Sequence, residues 1–96
     1  MDLRQMKLAL TVDLMNLSQS QDLVKFVTNK MHDYSSEIGH LQEITESSPS
    51  QLRDQLESQT FNLQFENCIL QLDVVGDRLK NQEYLQNFNL IDIHNN

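Results

Sequence analysis

Between Leu52 and Leu79 the chain carries two apolar stripes at helical spacing, more than an isolated pair of helices can cover. Phe61, Phe65, Cys68, Leu72, Val75 and Leu79 follow one another in steps of 4-3-4-3-4, which sets them along one side of an α-helix. Leu52, Leu56, Leu63, Leu70 and Val74 keep a similar period on the other side. At ~100° per residue, Leu63 and Phe65 point about 200° apart. A helix that is apolar on opposed sides has to be covered twice, and ninety-six residues supply little cover. The pattern predicts a helix that meets its own chain on one side and another chain on the other.

The segment before it reads as a longer helix. Leu3, Leu10, Leu17, Val24, Met31 and Ile38 fall at heptad position a, with Met6, Val27, Tyr34 and Leu41 at d. Asp13 and Ser20 interrupt the d series, and the polar run Ser18-Gln19-Ser20-Gln21-Asp22 marks a weak point. A break there gives three helices in place of two. Leu8, Val12, Met15 and Phe26 form a second seam outside the a and d positions, which suits a surrounded helix better than a parallel zipper.

Two Gly and one Pro are few breakers for such a length. The clear interruption is Ser47-Ser48-Pro49-Ser50-Gln51, where Ser48 can cap a helix, Pro49 suits its first position and Gln51 completes a capping box. The expected organisation is a long amphipathic helix over 1–46, a turn over 47–51, a second helix over 52–85 and an Asn-rich tail over 86–96. The fold class is all-α: a long antiparallel helical hairpin within a multi-chain helical bundle or coiled coil. Its core is expected from Val24, Val27, Met31, Tyr34, Ile38, Leu41, Phe61, Phe65, Cys68, Leu72 and Val75. Leu8, Val12, Met15, Phe26, Leu52, Leu56, Leu63, Leu70 and Val74 are left for a partner.

Charge narrows the partners. Fourteen Asp and Glu against seven Lys and Arg give a net charge of −7, with the acids spread along the chain. No basic stripe exists to neutralise phosphates, so direct nucleic-acid binding is disfavoured, as is an anionic membrane surface. The apolar run before Asp13 is too short for a signal-peptide core and nothing approaches a spanning length. An intracellular protein is expected, with signal-less secretion left open.

Chemistry is sparse. The lone Cys68 excludes an internal disulfide, sits on an apolar stripe and has no base nearby to activate it. His32 and His40 stand about two helical turns apart, too far for one metal ion, and His94 has no companion. The two glycines are isolated, so no phosphate-cradling loop is present. No catalytic residue, metal, cofactor or small-molecule substrate is expected.

Short motifs point to partners instead. Leu90-Ile91-Asp92-Ile93 resembles the core of SUMO-interacting motifs, which bind by adding a strand to a sheet edge. Ser58-Gln59-Thr60 resembles the anchor of dynein light-chain ligands, and Ser48-Pro49 a proline-directed phosphorylation site. In length, acidity and layout the chain is similar to the Trp-X-Gly hairpins of type VII secretion. It has no Trp, and its turn reads Ser48-Pro49-Ser50, so no residues carry over. The function expected from these features is a non-catalytic scaffold subunit lending a helical hairpin to a hetero-oligomeric coiled-coil complex, with another helical chain as partner. A secreted hairpin or its export partner, or a homodimeric four-helix bundle, is the alternative.

Overall fold

In the computed structural model, which describes residues 3–15 and 23–93, three helices precede five strands. They are α1 (Leu3–Met15), α2 (Leu23–His32) and the single turn α3 (Ser35–Ile38), followed by β1 (Leu41–Glu46), β2 (Ser50–Arg53), β3 (Leu56–Phe65), β4 (Cys68–Asp77) and β5 (Gln82–Asp92). The strands make one antiparallel sheet in the order β1-β3-β4-β5, with β2 also pairing with β3. The all-α hairpin is therefore overturned, and the coiled-coil scaffold, the secreted hairpin and the four-helix bundle fall with it. The stretch expected as a second helix over 52–85 holds strands, and the segment expected to end the first helix holds β1.

The reason lies in the two stripes themselves. Interleaved, they read Phe61, Leu63, Phe65 and then Cys68, Leu70, Leu72, Val74, which is every second residue on either side of Glu66-Asn67. That is the period of a strand. Leu63 and Phe65, opposed on a helix, share one face of β3. A sheet with a single apolar face needs one cover and not two, and the helices in front of it supply that cover. The polar residues between them, Asn62, Gln64, Gln71 and Asp73, fall on the opposite face by alternation. There Thr60 Oγ1 donates to Asp73 Oδ1 at 2.8 Å and Gln71 Nε2 to Asn62 Oδ1 at 3.1 Å.

The core joins both layers. Met6 and Leu10 from α1, Leu23, Val27 and Met31 from α2, and Ile38 from α3 pack on Leu63, Phe65, Cys68, Leu70, Leu72 and Val74. The helices α1 and α2 each contribute residues four apart, the stripe of an amphipathic helix. The helical reading of the N-terminal third thus holds in pieces, over 3–15 and 23–32. The break expected near 18–22 lies outside the described residues. Burying one such side chain stabilises the fold by about 1.5–3 kcal/mol.

A tight corner links the layers. Gly39 has φ +83°, and a Cβ placed on it would stand 2.6 Å from Cβ of Glu66, so both the backbone angle and the approach require glycine. The β3–β4 turn at Glu66-Asn67 is tied there: Asn67 donates its N–H to the Ile38 carbonyl and its side-chain amide to the Glu37 carbonyl, and Glu66 accepts the His40 N–H. Asp54 and Asn81, at φ 50° and 53°, close the other turns with the residue types that tolerate this conformation.

The turn expected at 47–51 is an interruption in an edge strand. Glu46 faces Phe61 and Ser50 faces Ser58, so four steps along the edge answer three along β3. Pro49 cannot donate to a ladder, which confines it to an edge or a bulge. Ser47 re-anchors the chain, its N–H donating to the Thr60 carbonyl and its Oγ accepting the Thr60 N–H. The tail expected over 86–96 enters β5 as far as Asp92.

Candidate functional site

One cross-strand row at the end of the sheet sets Glu57, Gly76 and Glu83 side by side. No atom lies within 4 Å of the place a Cβ on Gly76 would occupy. The result is a cleft of about 170 Å³ lined by Glu57, Gly76, Asp77, Arg78, Asn81, Gln82 and Glu83. Its charges are engaged in structure. Arg78 Nη1 lies 3.3 Å from Glu57 Oε1, and Glu83 Oε1 accepts the N–H of Leu23 at 2.8 Å, satisfying a donor at the start of α2. Asp77 Oδ1 accepts the N–H groups of Leu79 and Lys80, both at 3.1 Å, and so holds the β4–β5 turn. Small-molecule sites run to roughly 300–1,000 Å³, so this cleft is sized for an ion or a very small group.

Reactive side chains are few and placed for structure. Cys68 is fully buried and its thiol is pushed up to about 11, first by burial and then by the charge of Asp92. It stays protonated at neutral pH and is a poor nucleophile. The Tyr34 phenol is likewise pushed up by burial, with Asp13, Asp33 and Glu37 adding to the effect. His32 and His40 are exposed. Among the described residues no group of three or more His, Cys, Asp or Glu is arranged to hold a metal ion, and no helix is long and apolar enough to cross a membrane.

The edges of the sheet are the larger features. At one edge, β1 and β2 divide the length of β3, with register shifts between Leu41 and Glu43 and between Gln51 and Arg53. At the other, β5 runs from Gln82 to Asp92 along β4 with one register shift, at Gln86, and among the described residues no strand pairs with its outer side. From Gln86 to Ile91 this strand carries no charge. Phe88 and Leu90 lean on the core, while Gln86, Asn87, Asn89 and Ile91 are exposed.

The residues expected at a partner interface do not form one surface. Leu8 and Val12 are exposed at 68% and 57%, one turn apart on α1, and about 200° around the helix from Met6 and Leu10. Leu52 is exposed on the β2 edge, far from them in topology. Leu63, Leu70 and Val74 are buried in the core, Leu56 is half-buried at the start of β3, and Phe26 packs partly on the core under Lys30, whose Nζ stands 5.8 Å from its ring centre. The side chain of Met15 lies outside the described residues.

Of the residues expected in the hairpin core, Val27, Met31, Ile38, Phe65, Cys68 and Leu72 are in the core, with Val24, Tyr34, Leu41 and Phe61 packed partly against it. Val75 is half-buried and faces the other way, paired with Ser58 and Tyr84. Ser58-Gln59-Thr60 is internal to β3, paired with β4 throughout and on its other side with Ser50 at Ser58, and Ser48-Pro49 is exposed between β1 and β2. Leu90-Ile91-Asp92 closes β5, pairing with Leu70, Ile69 and Cys68.

The strand β5 had a signal in the sequence. Asn87-Phe88-Asn89-Leu90 alternates polar and apolar, the period of a half-covered strand. No protein-family model matches the chain, and neither a curated protein nor a solved structure shows significant similarity to it. Its function has to be argued from its own surfaces.

Proposed function

We propose that this protein works by binding another polypeptide along the outer edge of β5, and not by catalysing a reaction. The observation that carries this is the contrast between the sheet's two edges. The β1/β2 edge has the devices that discourage strand addition: bulges, a proline and charged residues at Glu43, Glu46 and Arg53. The β5 edge has a single bulge, at Gln86, and beyond it an uncharged run from Asn87 to Ile91 with no strand beside it among the described residues. An edge of this kind recruits an extended segment through main-chain hydrogen bonds, and alternate side chains select it. The net charge of −7 argues against nucleic acid as the ligand. A buried, unpaired Cys68 fits an intracellular setting.

A photoreactive amino acid placed at position 89, and separately at position 51 on the opposite edge, tests the reading in the cells that make the protein. Discrete polypeptide adducts at 89 with none at 51 are expected. Adducts at 51 alone, or at neither position, would overturn it.

A further inference from the structure

We infer that Ser48 is a modification site, a serine phosphorylated by a proline-directed protein kinase with a nucleoside triphosphate as donor. The chain has one proline, so Ser48-Pro49 is its single Ser-Pro or Thr-Pro step. A serine before a proline is ordinarily explained as the cap of a helix. Here no helix follows it. The ladder with β3 stops at Glu46 and resumes at Ser50, so Ser48 and Pro49 lie off it. Both are exposed, and the Ser48 hydroxyl has no hydrogen-bond partner among the described residues. The neighbouring serines differ: Ser47 Oγ accepts the Thr60 N–H, and Ser50 pairs with Ser58 inside the sheet.

The position suits phosphoryl transfer. A kinase takes its acceptor in an extended stretch of chain laid across the mouth of the nucleotide site. Pro49 drives Ser48 toward that conformation, and its missing N–H leaves no donor unsatisfied when its ring enters an apolar pocket. Ser48 Oγ attacks the terminal phosphorus and an O–P bond forms. The bond from that phosphorus to the nucleoside diphosphate breaks, and the hydroxyl proton passes to the kinase's base. No residue from Glu46 to Gln51 is basic, so the added charge of about −1.5 to −2 finds no cation beside it. The phosphate therefore stays in water next to Glu46 and leaves the fold beneath it unchanged. It adds negative charge to the edge already interrupted by Pro49, which further opposes strand addition there. This inference rests on the β1/β2 edge and is independent of the β5 reading.

Mass spectrometry of the full chain, recovered from the cells that make it with phosphatases inhibited, tests this. Wild type is expected to carry one phosphate, located at Ser48 by fragmentation. Ser48→Ala should lack it and Ser48→Thr should keep it. Pro49→Ala takes the ring out of the kinase's apolar pocket and is expected to lower occupancy ~10-fold or more. Gln51→Ala should leave occupancy unchanged, and circular dichroism checks that each variant folds. A chain without phosphate at Ser48 overturns the site. Equal occupancy in wild type and Pro49→Ala overturns the proline-directed kinase. A phosphorylated chain whose urea midpoint departs from that of the unmodified chain overturns the placement of Ser48 clear of the packing.

Discussion

The centre and the β1/β2 edge of the same sheet obey different rules. Between β3 and β4 the pairing runs from Leu56↔Asp77 to Gln64↔Ile69 without a slip. Between β3 and its outer neighbours the register shifts twice within the strands and once more across Ser47-Ser48-Pro49. Burial accounts for the contrast. In β4 the side chains of Cys68, Leu70, Leu72 and Val74 alternate into the core, and a one-residue slip would turn all of them to the other face. In β2 every residue is exposed, and in β1 all but the half-buried Leu41. There a slip moves nothing out of a core, so bulges accumulate at little cost.

The largest test compares two residues of one cross-strand row, Ile44–Leu63–Leu70–Leu90. Leu70 is fully buried and Ile44 is 45% exposed. Leu70→Ala should cost about 3 kcal/mol, combining lost transfer energy with a cavity. Ile44→Ala should cost less than about 1 kcal/mol. Urea denaturation of both variants measures the difference. Similar losses would mean that the edge is as tightly specified as the centre.

The next effect is a pH dependence with a source at the centre. Cys68 titrates near 11 in the folded chain against a usual value of 9.0, chiefly through burial. The unfolded chain therefore loses this proton first. Stability from the buried thiol is complete below pH 9 and is lost as pH rises through 11, by roughly 2–3 kcal/mol in all. Cys68→Ala should make this alkaline slope shallower, leaving the part that the raised Tyr34 phenol contributes, at the expense of a lower plateau. Denaturation midpoints measured across that range for both proteins check the sign and the size.

The same contrast explains what could be read from the sequence. The apolar positions of α1 and α2 were legible, because Met6 and Leu10, or Val27 and Met31, are spaced for a helix and form one. The misreading began at Phe61. In Phe61-Asn62-Leu63-Gln64-Phe65 and Cys68-Ile69-Leu70-Gln71-Leu72, steps of two and steps of four coincide, so a subset of strand positions also satisfies a helical stripe. The apparent excess of apolar faces was a consequence of dividing one strand face into two helical ones. Ser48-x-x-Gln51 and Pro49 gave a genuine chain interruption, but capping logic could not say that both flanks lie along the same neighbour, β3. The cleft over Gly76 was out of reach, because it depends on which residues meet it across strands, Glu57 and Glu83.

A smaller effect is expected where the centre ends. Asp77 is the last residue of β4, only 6% exposed, and a single oxygen holds two turn amides. Asp77→Ala leaves those donors to water or to each other, a loss of about 1–2 kcal/mol. Asp77→Asn keeps an acceptor in place and should recover most of it. If both variants lose the same amount, the carboxylate matters for its charge and not for the turn it holds.

The smallest effect belongs to the β1/β2 edge. Pro49 is exposed and stands where the chain steps away from β3 between Glu46 and Ser50. Pro49→Ala releases conformational freedom in the unfolded chain and should lower stability by no more than about 0.5–1 kcal/mol. It also returns an N–H donor to an edge that lacked one, which makes strand addition there easier. The expected result is a chain nearly as stable as wild type that aggregates more readily, read by light scattering during prolonged incubation. An aggregation rate unchanged by the substitution would show that the bulges alone protect this edge.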